Sequence, residues 1–197
     1  MARAMIQPLW VRIAHWINAV SVVLMILSGW KIYDASPIFP ALKFPASITL
    51  GGWLGGALLW HFAVMWLLVA NFTVYMVINI ASGRLRRKLL SMSFASIVGD
   101  AADVFRGRLK HDDLSKYNAI QKIAYILVIA DIALLVLSGL AVFRSVQLPI
   151  LRELMGGYDA ARVVHFFAMS FIVAFLAVHV VMVALVPRSL RLMILGR

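Results

Sequence analysis

The chain has 197 residues, of which 63% are hydrophobic and only 14% are charged, whereas an ordinary soluble domain carries about 25% charged residues. Its net charge of +11 comes from basic residues between and beyond the apolar segments rather than along one polar face, so the composition favours a membrane protein over a nucleic-acid-binding one. The chain contains no cysteine, which excludes disulfides, iron–sulfur clusters and thioether-attached haem, so that any metal must bind through histidine, methionine or oxygen.

Four apolar segments are long enough to cross a bilayer, because its hydrocarbon core needs about 20 helical residues. They lie at about 9–33, 48–80, 118–143 and 160–186. The first segment is not followed by a small-residue cleavage site and is expected to remain as an uncleaved helix. The glycine-rich stretch at 51–56 predicts a loosely helical or tightly packed entry to the second span. We therefore predict an all-α, four-transmembrane-helix bundle that forms a single domain over residues 1–197.

The distribution of basic residues predicts the orientation of these spans. Fourteen Lys and Arg residues lie in the N-terminus, the 84–122 connection and the C-terminal tail, against five in the two other connections. By the positive-inside rule, both termini are expected in the cytoplasm and the protein in the bacterial inner membrane. Apolar residues recur every three or four positions within the 84–117 connection, which predicts an amphipathic cytoplasmic helix. The pattern leaves open whether its basic side meets anionic lipid or a partner protein.

A weak internal repeat relates the two halves of the chain. Leu27-Ser28-Gly29 in the first span matches Leu137-Ser138-Gly139 in the third, and the pattern HFxxMxxxVA that starts at His61 recurs from His165. The repeat predicts two helical hairpins of like orientation. Since only His61 and His165 correspond under this alignment, the repeat does not predict a symmetric set of ligands.

Histidines provide the main functional signal, because an ionisable residue inside a membrane span is costly and usually functional. Four of the five lie within predicted spans: His15, His61, His165 and His179. Fourteen residues separate the last two, which in a helix is about 21 Å along the axis and nearly one face. Depth then predicts a cytoplasmic-side pair, His15 with His179, and an outer pair, His61 with His165.

Two imidazoles that face each other without a third ligand suit iron in a planar macrocycle. The sequence therefore predicts two bis-histidine b-type haems in the bundle core, with each pair supplying the axial ligands. Zinc or copper would need three or four clustered side chains. Because both axial positions are filled, we expect electron transfer rather than oxygen binding. A non-redox membrane scaffold with structural histidines is the alternative.

Arginines and glycines near the histidines are candidates for secondary roles. Arg12 and Arg162 each precede a ligand histidine by three residues, hence on the same helix face, and would suit haem propionates or simply interfacial anchoring. Gly29 and Gly139 would allow close approach of haem or of a neighbouring helix.

The polar segment HDDLSKYNAIQK precedes the third span, and the fifth histidine, His111, which is excluded from the haem ligands, lies within it. Its residues Tyr117, Asn118 and Gln121 would suit the carbonyls of a quinone, or would form a solvated loop and helix cap. Asp131, in the middle of the third span, has no predicted role.

The histidine set, its spacing and the opening WVRIAHWINA together resemble the bacterial cytochrome b-561 superfamily over nearly the whole chain. That superfamily includes the b-type subunits of nickel–iron hydrogenases and the gamma subunit of formate dehydrogenase. The short length, the HDDLSKYNAIQK segment and the VMVALVPRSLR ending look most like thiosulfate-reductase-type cytochrome b subunits. The chain lacks the fifth helix of the hydrogenase subunits, which disfavours a hydrogenase partner.

This resemblance implies an electron-transfer subunit of a respiratory oxidoreductase. It would link ubiquinone or menaquinone, close to the cytoplasmic haem, to a periplasmic redox partner such as a molybdopterin oxidoreductase. The alternative is a stand-alone superoxide:quinone oxidoreductase, in which Lys31, Lys43, Arg144 and Arg162 would attract the anion at the outer haem. The direction of electron flow, the partner, the quinone type and site, and the oligomeric state are not predicted.

Overall fold

The structure is a computed structural model that describes residues 6–91, 93–105 and 117–196. Its helices are α1 (Leu9–Ala35), α2 (Leu54–Ala81), α3 (Arg84–Lys88), α4 (Phe94–Phe105), α5 (Ala119–Phe143), α6 (Pro149–Leu154), α7 (Tyr158–Leu185) and α8 (Pro187–Leu195). A short 3₁₀ turn at Ala46–Ile48 precedes α2, and no strand occurs in the described part of the chain.

Four helices, α1, α2, α5 and α7, are long and apolar enough to cross a membrane. Only 11–28% of the residues in their most apolar stretches are buried within the protein, so most of their apolar side chains face outward. An apolar exterior of this kind suits lipid rather than water. The predicted all-α membrane fold with four spans is confirmed.

Contacts divide the chain into two compact units, Met1–Tyr75 with Leu192–Arg197, and Met76–Arg191. The first unit contains α1 and most of α2, and the second contains α5 and α7 with the short helices α3, α4 and α6. Each unit thus contains one of the two hairpins that the internal repeat predicts.

Two glycines determine where α2 begins. The helix starts at Leu54 rather than at about 48, because Gly51 and Gly52 have φ angles of +108° and +71°. These values are unfavourable for residues with a Cβ atom and turn the chain sharply. A Cβ atom on Gly51 would collide with the backbone of Ala57 in the first turn of α2. The predicted tightly packed entry is therefore a glycine turn in front of the helix.

The loop between α1 and α2 is anchored on the end of α1. The ring of Phe44 stacks on that of Trp30 at 4.6 Å between centroids, and its backbone N–H donates to the Asp34 carboxylate at 3.0 Å. Further along the loop, the N–H of Leu50 donates to the carbonyl of Leu27 at 3.0 Å. These contacts hold the chain close to α1 until α2 starts.

In the second unit, a capping box starts α5. The Asn118 side chain accepts from the N–H of Gln121 at 2.7 Å, and the Gln121 side chain accepts from the N–H of Asn118 at 3.2 Å. A helix, α4, also forms within the predicted amphipathic connection, and its Asp100 carboxylate accepts from the N–H of Ala119 at 2.6 Å. The rest of that pattern, from residue 106 to 116, lies outside the described residues.

Candidate functional site

In the first unit, α1 holds the ring of His61 through two adjacent residues. The Ser28 Oγ lies 3.0 Å from the His61 Nδ1, and a Cβ atom on Gly29 would lie 3.5 Å from the His61 Cε1. Ser28 is fully buried. The serine thus contacts one ring nitrogen, and a Cβ atom at position 29 would make an ordinary van der Waals contact with the neighbouring ring carbon.

In the second unit, α5 holds the ring of His165 in the same way. The Ser138 Oγ lies 2.9 Å from the His165 Nδ1, and a Cβ atom on Gly139 would lie 3.2 Å from the His165 Cε1. Ser138 is also fully buried. We call each such pair, Ser28 with Gly29 and Ser138 with Gly139, a Ser–Gly seat.

The duplicated Ser–Gly seat gives the internal repeat a structural meaning. Each unit places a histidine of one helix on a serine and glycine of the preceding long helix, across 33 residues in the first unit and 27 in the second. The repeat was visible as the Leu-Ser-Gly triplet. Its serines were missed as functional residues because the partner of each hydroxyl lies on another helix.

The other two predicted ligands lie in different surroundings. His15 lies in the second turn of α1 with its ring edge-on to that of Trp16, at 5.4 Å between centroids. His179 lies in the last third of α7 and stacks on Phe175, at 5.7 Å and 15° between the rings. His111, which was excluded from the ligands, lies outside the described residues.

These residues fit a haem-binding role. Because Nδ1 of His61 and of His165 contacts a serine, each ring would bind iron through Nε2, and bis-histidine haem needs one nitrogen from each ring. A Cβ atom at either glycine would lie close to Cε1, the ring carbon between Nδ1 and Nε2. Each ring is thus supported along the Nδ1–Cε1 edge.

Arg12 and Arg162, the two candidates for binding haem propionates, already contact other groups of the protein. Arg12 Nη1 donates to the carbonyl of Ile194 at 2.8 Å in the last turn of α8, whereas its buried Nε has no hydrogen-bond partner among the described residues. Arg162 lies 3.9 Å from the Asp159 carboxylate one turn earlier in α7. The contacts of both arginines are therefore explained in part by anchoring of the helix ends. The buried Nε–H of Arg12 is a donor without a partner among the described residues.

The candidate quinone residues divide into two groups. Asn118 and Gln121 bond to each other in the capping box of α5, which gives them a structural role. Tyr117 instead lines a cavity of about 450 Å³, together with the side chains of Arg84, Arg87, Lys88, Ser91 and Lys122. The ammonium group of Lys122 donates to the carbonyl of Ser91 at 2.7 Å and so links α5 to the chain before α4.

Two buried polar groups occupy equivalent positions in the two units. Ser21 and Asp131 lie seven residues before Ser28 and Ser138, and they are 0% and 8% exposed. The Ser21 Oγ and the Asp131 Oδ2 have no hydrogen-bond partner in the described part of the chain. In the first unit, the side chain of Asn71 donates to two groups of α1, the carbonyl of Ala14 at 2.9 Å and Asn18 Oδ1 at 2.7 Å.

Fold and site together define a class of protein, the four-helix membrane cytochromes b, whose histidines hold haem within the helices. The chain belongs to the prokaryotic cytochrome b561 family, whose family model matches residues 6–196. A curated relative from Azospira oryzae, named as a protein-methionine-sulfoxide reductase subunit YedZ1, is 59% identical over 191 residues, which cover 97% of this chain and 96% of the relative. No solved structure matches the chain significantly. The family resemblance predicted from the sequence is confirmed, and the protein is a membrane electron-transfer subunit of the cytochrome b561 type.

Proposed function

We propose that the chain is a dihaem b-type cytochrome of the bacterial inner membrane that transfers electrons between the quinone pool and a periplasmic catalytic subunit. The observation that supports this most directly is the duplicated Ser–Gly seat, which presents one histidine in each unit for metal binding. When bound, haem supplies a one-electron carrier. The pairing of His61 with His165 and of His15 with His179 rests on their depth along the helices.

The name of the Azospira relative supports a partner that reduces protein methionine sulfoxide. Such a reaction removes the sulfoxide oxygen as water and consumes two electrons and two protons. Oxidation of one quinol to the quinone releases two electrons and two protons, which matches this requirement. Electrons would therefore flow from quinol through this chain to the partner, which we expect to be a molybdopterin oxidoreductase of the kind that works with related cytochrome b subunits.

Several residues have supporting roles in this proposal. Arg12 and Arg162 would contact the haem propionates, and the buried Nε of Arg12 is the donor that supports this role. Gly29 and Gly139 would allow the ligand rings and the haem edge to approach the helices closely. Tyr117, at its cavity, is a candidate for quinone binding, and so are the side-chain NH2 groups of Asn118 and Gln121, because the capping box uses only the oxygens of those two amides. With both termini in the cytoplasm, this cavity opens on the cytoplasmic side.

Spectroscopy and quinol oxidation with the purified protein test this function. We expect dithionite to produce the reduced α-band of a b-type haem, and a short-chain quinol to produce the same band without any partner. Added molybdopterin subunit and methionine sulfoxide should then reoxidise the haem. A His61→Ala, His179→Ala double variant is the control for haem-independent signals. Absence of an α-band in the purified wild-type protein would show that the chain does not bind b-type haem.

Superoxide oxidation is the competing outcome of the same experiment. Fast haem reduction by enzymatically generated superoxide, with quinone as the only acceptor, would replace the proposed subunit role by a stand-alone activity. The Asp159 carboxylate, 3.9 Å from Arg162, would reduce the attraction for the anion there, whereas Arg144, whose guanidinium lies 4.4 Å from the centre of the Phe143 ring, keeps its positive charge.

A further inference from the structure

The hydroxyl groups of the two seats have their single hydrogen engaged elsewhere. The Ser28 Oγ lies 2.7 Å from the carbonyl of Leu24, and the Ser138 Oγ lies 2.7 Å from that of Leu134. Each is a back-bond to the carbonyl four residues earlier in the same helix. Because a carbonyl can only accept, the serine must donate its hydrogen there.

This assignment determines the tautomer of each histidine. A hydroxyl oxygen that has donated its hydrogen can only accept from the ring, so the Nδ1 of His61 and of His165 must carry the hydrogen. Nε2 then carries the lone pair. A hydroxyl that is itself a donor is polarised and becomes a better acceptor, which strengthens the contact with the ring.

A hydrogen bond from the second ring nitrogen of a metal-binding histidine orients the ring and raises its basicity. A more basic ligand stabilises ferric over ferrous iron and lowers the reduction potential. Both serines are fully buried, so bulk water does not reach their hydroxyls, and the carbonyl of Leu135 is a second acceptor beside the His165 ring. The effect would act on both rings of the predicted outer pair.

We infer that Ser28 and Ser138 are positioning residues, which hold His61 and His165 as Nδ1–H tautomers with Nε2 directed to iron and thereby set the potential of the outer haem. This inference rests on the proposed function, since it requires haem at these two histidines. The serines contact the ligand rings and take no part in the electron-transfer step.

Redox titration of purified Ser28→Ala, Ser138→Ala and double variants tests the inference. We expect a more positive midpoint potential for one haem, with additive shifts from the two serines and a changed electron paramagnetic resonance signal of that ferric haem, while the second haem titrates as in the wild type. Ser28→Thr and Ser138→Thr should restore most of the potential, because threonine can make the same back-bond. Ser170→Ala is a matched control, since the Ser170 hydroxyl makes a back-bond to the carbonyl of Phe166 at 2.9 Å.

The other outcomes are also decisive. Loss of only one haem in the alanine variants, with retention in the threonine variants, would equally support a positioning role. Unchanged potentials and spectra in both alanine variants would overturn the inference and leave the dihaem function intact. A wild-type protein without b-type haem would instead overturn the proposed function itself. If the alanine variants fail to assemble, unaltered potentials in Ser28→Cys and Ser138→Cys, whose thiols accept only weakly, would overturn the inference.

Discussion

Replacement of His179 by alanine is expected to remove one haem and leave the other. The haem content per chain should fall from about two to about one, because a b-type haem that loses one of two axial ligands is poorly retained. His179 lies fourteen residues after His165 on the continuous helix α7, about 21 Å along its axis, so its removal should not disturb a haem bound at the other histidine. Quantitative haem extraction and redox titration would measure the loss.

Matched variants make this result specific. His165→Ala should remove the other haem, so that each single variant keeps a different midpoint potential, whereas His111→Ala should leave both haems in place. Equal loss of both haems in His179→Ala, with the helical content retained, would contradict the pairing by depth. His15→Ala should reproduce the spectrum of His179→Ala, because the two are the proposed ligands of one haem.

Alanine at Gly51 is expected to destabilise the protein far more than alanine at Gly52. A Cβ atom on Gly51 would overlap the backbone of Ala57 and Gly56, and the φ angle of +108° lies outside the region that residues with a Cβ atom adopt. We expect a loss of about 3 kcal/mol in the free energy of unfolding. At Gly52, φ is +71° and a Cβ atom would meet nothing within 4 Å, so the expected loss is about 1 kcal/mol.

Reversible unfolding in mixed micelles would measure both free energies. The two variants differ by one position and by no charge, so detergent binding and expression effects should be alike. Equal losses for Gly51→Ala and Gly52→Ala would show that the turn rearranges freely before α2. A small effect of both would contradict the tight entry to the helix.

Much of the architecture could be predicted because membrane insertion depends on local composition. Each of the four spans is an apolar run, and the lipid requires its backbone to be helical. The start of α5 also has a readable signal, since Asn118 and Gln121 have the spacing of a capping box. The polar segment predicts a solvated loop and helix cap first and a quinone site as the alternative, and the capping box agrees with the first.

Other features needed the folded chain. The sequence identified Arg12 as a partner for propionates or an interfacial anchor, but its contact with the Ile194 carbonyl depends on α8, a helix that was predicted only as a basic tail. The delayed start of α2 depends on the backbone angles of Gly51 and Gly52. Neither hydropathy nor spacing reports such angles.

The sequence by itself determined the fold class, the number of spans, the family and the candidate ligands, because hydropathy and histidines within apolar segments are local properties. The tertiary structure alone decided what each ligand ring touches. Ser28 meets His61 across 33 residues and Ser138 meets His165 across 27, and contacts at that separation arise only when two helices pack side by side. The back-bond within each serine's own helix gives the direction of the hydroxyl hydrogen, and the packing brings the histidine ring to that hydroxyl, which together are the basis of the tautomer we infer.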